Sequence, residues 1–212
     1  GIRDPIGSRG LGVVYMRQEL LGLPAIAITD VNSVTGIVRA YSAARDIKRF
    51  VKDRQSKNSI GPPRPQNIKK PPSLSLDTIP RLIPGSKFKL IDGFEITVLP
   101  KSRKGWATLC RCLSKGRLRN SKGLCDLVIG EISEELDDVV LLIHSPKTPW
   151  NLKKSKLWLK NSTLLKNKFN QDVYIVLTPE YDGIDHKRFE HTKKLSKTCL
   201  LYTSPSPRDP IG

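Results

Sequence analysis

The chain has 212 residues, 38% of them hydrophobic, and sets 37 Lys and Arg against 20 Asp and Glu, a formal net charge of +17. That length can bury one sizeable core. No run reaches the ~18–20 apolar residues of a membrane span, and the start lacks the charged-then-apolar pattern of a secretory signal, so a soluble cytoplasmic protein with no membrane partner is expected.

The positive balance suits polyanionic partners such as nucleic acid or an anionic membrane surface, a Lys-rich surface common to a Lys-rich proteome being the equal alternative, and the low apolar share implies that part of the chain is not packed. The two ends look foreign. "RDPIG" stands at residues 3–7 and again at 208–212, too short to be a stacking repeat, which needs about 20 residues or more. "CLLYTSPSPRD", residues 199–209, resembles the conceptual translation of a sequencing-library adaptor, and "VVYMRQ", residues 13–18, a degraded form of the opposite strand. Residues 1–18 are therefore expected to be a non-native leader and 199–212 an adaptor-derived tail, leaving 19–198 as a fragment cut at both sides.

Within that body strands and helices alternate. Residues 19–22 read as a helix end stopped by Gly22. Residues 25–29 form a short apolar strand that runs into Asp30 and the turn formers Asn32 and Ser33. From 34 to about 51, Val34, Ile37, Val38, Tyr41, Ala44, Ile47 and Phe50 or Val51 recur at helical spacing. Residues 54–78 hold five prolines and read as a disordered insertion. Residues 81–89 and 94–99 read as strands about the turn "IDG". Trp106, Leu109, Cys110 and Leu113 mark the core side of a helix. An apolar strand at 139–143 ends at His144. A Lys-rich helix at 152–165, a strand at 173–177 and a polar helix at 185–197 complete the order. Such alternation implies an α/β protein with parallel strands covered by helices.

Few residues qualify for catalysis. A hydrolytic metal centre needs several His, Asp and Glu ligands, and this chain has three His, at 144, 186 and 191. His186 and His191 are five apart on an exposed helix and diverge, and a lone His144 at a strand end reads as structural. The cysteines at 110, 112, 125 and 199 lack zinc-knuckle spacing and are expected to behave as small apolar residues. No nucleophile elbow or phosphate-loop glycine pattern occurs. The acidic pairs Glu134–Glu135 and Asp137–Asp138 read as a solvated connection. In "SRKGWATLCRCLSKGRLRNSKG" the cations Arg111, Lys115, Arg117, Arg119 and Lys122, with Arg103 and Lys104, are candidates for phosphate-backbone contact, a solvated helix face being the equal alternative.

Three blocks in order carry a resemblance: "LGLPAIAITDVNSVTGIVRAYSAA" (residues 21–44), "RLIPGSKFKLIDGFEITVLPKSRKGWATLCRCLSKGR" (81–117) and "SKGLCDL" (121–127). Together they resemble the amino-terminal PHP (polymerase and histidinol phosphatase) domain of bacterial C-family DNA polymerases, best of all the error-prone group that looks like the polymerase III α subunit. Thr29, Asp30, Asn32, Ser33, Gly36, Arg39 and Ala40 match its first pattern. Leu109, Cys110, Arg111, Leu113, Gly116, Arg117, Lys122, Gly123 and Cys125 match the later ones.

The resemblance implies part of a distorted (β/α)7 barrel, incomplete at both ends, whose strand carboxyl ends carry the site. It implies a parent enzyme that copies DNA in damage tolerance, with DNA and other replication or repair proteins as partners. The parent's Mg2+ ions would sit on palm aspartates outside this chain, so the fragment itself is expected to be inert and without a cofactor. Four departures matter. Metal-binding members of the superfamily carry a His-x-His motif on a first strand that would precede residue 19 and is missing here, His after the Asp, where this chain has Val31, and Glu at the position of Lys87, and the family connection at 54–78 is short. Asp30 is thus expected to be a vestigial metal position that caps the following helix with Asn32 and Ser33. The rival readings are a metal-dependent phosphoesterase of the same superfamily and a non-catalytic basic module that binds nucleic acid or a replication partner.

Overall fold

The computed structural model describes residues 23–57, 79–121, 123–148, 150–198 and 202–203. The expected leader, nearly all of the expected insertion and most of the expected tail lie outside the described residues. The chain divides into two compact units: Gly1–Asp30 with Val34–Pro84, and Val31–Ser33 with Gly85–Gly212.

In the first unit, strand β1 (Ala25–Val31) leads to helix α1 (Thr35–Lys57), and β1 neighbours the start of β2 (Arg81–Lys89). The Arg81 amide donates to the Pro24 carbonyl at 2.9 Å. Ala40, Ala44, Ile47 and Val51 bury one side of α1 against Ile26, Ile28, Ile79 and Leu82. The helical period is as expected, but the buried side is rotated. Val38 and Tyr41 are 70% and 63% exposed, while Ala43 is buried. Alanines let the helix approach its neighbours closely, and larger side chains are left outside. The helix also runs to Lys57, four residues into the stretch expected to be disordered.

The second unit is an α/β layer. The end of β2 pairs antiparallel with β3 (Glu95–Pro100), with Ser86 opposite Val98 and Lys89 opposite Glu95. β3 pairs antiparallel with β4 (Val139–His144), with Ile96 opposite Ile143. β4 pairs parallel with β5 (Val173–Val176), with His144 opposite Val176. A short β6 (Tyr202–Thr203), within the stretch expected to be foreign, pairs parallel with β5. The all-parallel expectation is corrected here. The turn after β2 is closed by the Leu90 amide on the Phe94 carbonyl at 2.9 Å, and so short a connection joins only antiparallel neighbours.

Helices α2 (Arg103–Leu118), α3 (Ile129–Glu135), α4 (Leu152–Phe169) and α5 (Asp185–Thr198) complete the unit. Phe88, Ile96, Val98, Leu109, Leu141, Ile143, Leu165 and Ile175 are fully buried. On α2 the buried side is Gly105, Thr108, Leu109, Cys112, Leu113 and Gly116, so Trp106 and Cys110, expected inside, are only half-buried. Gly105 sets this rotation: a Cβ there would stand 2.2 Å from the Asp138 carbonyl oxygen, so only glycine permits the approach. Ser102 caps α2, its Oγ accepting from the amides of Lys104 at 3.1 Å and Gly105 at 3.4 Å. No helix among the described residues is long and apolar enough to cross a membrane.

Candidate functional site

Asp30 stands at the end of β1, and its carboxylate faces the start of α1. Oδ2 accepts from the Gly36 amide at 2.5 Å and from Thr35 Oγ1 at 3.4 Å. A negative charge on the first free amides of a helix is stabilising. A Cβ on Gly36 would lie 2.6 Å from the same oxygen. The carboxylate thus serves as the cap of α1.

Asn32 does not share that cap. Its φ is 46°, a left-handed conformation that asparagine tolerates. Its own amide donates to Lys87 O at 2.9 Å, its Nδ2 donates to Lys89 O at 3.1 Å, and its Oδ1 accepts from Lys89 N at 2.8 Å. The side chain thus copies a strand partner for β2. Arg117 Nη2 donates to Asn32 O at 2.8 Å, and Asn32 Nδ2 also reaches Cys125 O at 3.4 Å. The Ser33 amide donates to Ser86 Oγ at 3.3 Å. The capping role expected of Asn32 is therefore corrected: its amide group is committed to β2 and to Cys125. Residues from all three motif blocks meet here in backbone contacts.

A cleft of about 530 Å3 in the second unit opens where β2 and β4 end and β3 begins, with Lys87, Lys89, Glu95, His144, Lys147 and Lys154 on its walls. Strand carboxyl ends are where open α/β sheets place ligands. Lys87 Nζ sits 2.7 Å from Glu95 Oε2, a diagonal cross-strand pair. His144 Nε2 is 2.9 Å from Thr97 Oγ1, and the His144 carbonyl accepts from Trp158 Nε1 at 2.9 Å. Burial, with the Lys87 charge adding to it, pushes the His144 ring down to about 4, so the imidazole is neutral at pH 7. Burial raises Glu95, but the hydrogen bond and charge of Lys87 outweigh it and hold the carboxyl below its ordinary value.

These donors do not fit a divalent cation. An ammonium with no lone pair stands where the resemblance places a carboxylate ligand, and it uses the nearby Glu95. Among the described residues no group of three or more His, Cys, Asp or Glu could hold a metal ion.

The candidate phosphate contacts are largely committed to other groups. Arg111, Lys115 and Arg119 recur every fourth residue along α2 and meet Glu131 and Glu135 of α3. Arg111 Nε lies 2.5 Å from Glu135 Oε1, Lys115 pairs with the other oxygen of Glu135, and Arg119 Nη2 lies 2.7 Å from Glu131 Oε2. Arg117 is the donor to Asn32 already described, Lys104 pairs with Asp137 at 2.5 Å, and Lys122 lies outside the described residues. Glu135 and Asp137, read from sequence as a solvated connection, serve as counterions. The matched four-residue spacings of cations on α2 and acids on α3 were the available signal.

Cys110, Cys112 and Cys125 are free thiols. Burial pushes Cys112 up to about 12 and raises the other two, so they are poor nucleophiles at neutral pH.

No protein-family model matches the chain. The error-prone DNA polymerase of Ruegeria pomeroyi is 31% identical over 183 residues, 80% of this chain and 15% of that protein. The chain is a homologue of error-prone DNA polymerases. Error-prone DNA polymerase 1 of Rhizobium meliloti is 28% identical over 178 residues, 84% of this chain and 13% of that polymerase, and the error-prone DNA polymerase of Rhodopseudomonas palustris strain BisB5 is 28% identical over 177 residues. The chain thus spans 13% to 15% of the length of the first two polymerases. Among solved structures, a Bifidobacterium adolescentis protein described as a candidate metal-dependent phosphoesterase aligns with 95% of this chain and 84% of its own at 9% identity and a TM-score of 0.47, a likeness too slight to carry an argument.

Proposed function

We propose that the chain is part of the amino-terminal PHP domain of an error-prone DNA polymerase, a cytoplasmic enzyme of damage-tolerant DNA synthesis, and that these residues form a scaffold with no catalysis of their own. In this reading the second unit is a piece of a distorted (β/α)7 barrel. Nucleotidyl transfer belongs to Mg2+ ions on palm aspartates in other parts of the polymerase, and DNA is the parent's partner.

The observation that carries the scaffold reading is the use to which the motif residues are put. Asp30 holds the start of α1, Asn32 holds β2 and receives Arg117, and Lys87 neutralises Glu95 in the cleft. Each is engaged in an internal contact, and the ammonium of Lys87 opposes a metal in the cleft that a phosphoesterase would use.

Primer extension on a template tests the assignment. The purified chain should extend nothing, and the same residues joined to the rest of their gene product should add nucleotides. Extension by the chain alone, or none by the full product, overturns the reading.

A further inference from the structure

We infer that the solvent face of α4 is a contact surface for the phosphate backbone of nucleic acid, formed by Lys153, Lys156 and Lys160. The helix, LKKSKLWLKNSTLLKNKF, has six lysines and no acidic residue. Its buried side is Ser155, Trp158, Asn161, Ser162 and Leu165. Lys153, Lys156 and Lys160 lie on the opposite side and are exposed.

Three further lysines of α4 have other places. Lys154 lines the cleft, Lys166 Nζ donates to Asn170 O at 2.8 Å, and Lys168 Nζ donates to Glu134 O at 3.2 Å. Among the described residues no carboxylate pairs with Lys153, Lys156 or Lys160. That contrasts with α2, whose Arg111, Lys115 and Arg119 are matched by α3 acids.

The pattern works against the helix itself. Like charges three and four positions apart repel, and Lys153, in the first turn, faces the positive end of the helix dipole. A polyanion laid along this face would relieve both. From Lys153 to Lys160 the rise is about 10 Å, so the three cations form one short positive stripe. No aromatic side chain lies on this stripe to stack on bases, so recognition would follow the backbone and ignore sequence. The choice of nucleic acid over another polyanion rests on the polymerase reading.

Fluorescence anisotropy with a labelled random-sequence duplex, over about 50 to 200 mM salt, tests this. Replacing all three lysines (K153Q/K156Q/K160Q) should lower the slope of log affinity against log salt by about 2.7, and K156Q alone by about 0.9, at roughly 0.9 per phosphate contact. R45Q/K48Q/R49Q on exposed positions of α1 is the charge-matched control and should leave the slope within about one contact of the parent. A melt of each variant shows that it is folded, and the α4 triple should melt no lower than the parent. The inference is overturned if the parent shows no salt-dependent binding, if the α4 triple keeps the parental slope, or if both triples lower it equally. It is also overturned if the α4 triple loses binding to phosphatidylserine vesicles while keeping its DNA affinity. Polymerisation is not read in this assay, so failure here leaves the polymerase assignment to its own test.

Discussion

Acid should weaken the second unit through one imidazole. His144 ends β4 half-buried, and burial with the Lys87 charge holds its ring at about 4 against an ordinary value of 6.5. Above pH 6.5 the ring is neutral in both states and contributes no pH dependence. Below that, the unfolded chain binds a proton that the folded chain refuses, so stability falls until the pH drops below about 4, where both states become protonated. At 1.36 kcal/mol per unit the whole window is worth about 3 kcal/mol, and about 2 by pH 5. Partial solvent access to the ring reduces the pH 5 figure to about 1–2 kcal/mol. Urea unfolding followed by tryptophan fluorescence, at about pH 7.5 and pH 5, measures it, since Trp158 is bonded to the His144 carbonyl. His144→Gln keeps a donor and an acceptor beside Thr97 without titrating, and should lose most of the drop. Glu95, Glu135, Asp137 and Asp182 are all held below their ordinary values, so their stabilisation fades only at pH below that of a free carboxyl, outside this window. Equal weakening of parent and Gln variant between the two pH values would refute the reasoning. Lys87→Met removes the second cause of the shift and should raise the His144 titration seen by NMR.

Asn32→Ala removes two side-chain bonds to Lys89 and should cost about 2 kcal/mol in urea, whereas an unchanged midpoint would contradict the strand-mimic role. Gly105→Ala places a Cβ against the Asp138 carbonyl and should cost about 1–3 kcal/mol. Gly130→Ala, with nothing within 4 Å of the new Cβ, should stabilise by up to about 1 kcal/mol, and the opposite order of melting temperatures would refute the packing argument. Glu135→Gln releases Arg111 and Lys115. It should change stability by less than about 1 kcal/mol and raise low-salt affinity for DNA in anisotropy, and a fall in affinity would count against the counterion role.

Much of the layer order was legible because most of the strands and helices have their own apolar period and their own stops; the seven-residue α3 and the two-residue β6 do not, and the sequence reading missed both. The rotation of the helices was not. On α1 the buried side is marked by Ala40, Ala43 and Ala44, small residues that hydrophobic spacing underweights against Val38 and Tyr41. On α2 it is set by Gly105 against Asp138, a contact between residues far apart in sequence. The cleft was hidden for the same reason. Lys87, Glu95, Thr97 and His144 come together only through the register of β2, β3 and β4, which no local pattern specifies. Asp30 was legible as a helix cap because a carboxylate a few residues before a helix has few other uses, while Asn32, equally suited to a cap, was claimed by the edge of β2.

Metal-stimulated phosphate release bears most directly on the scaffold reading. The purified chain and its Asp30→Ala variant would be incubated with p-nitrophenyl phosphate and manganese or zinc. With Lys87 neutralising Glu95 in the cleft and Asp30 bound to the start of α1, both should match the protein-free blank. Release above the blank by the parent, lost in Asp30→Ala, would contradict the account and make the chain a working phosphoesterase.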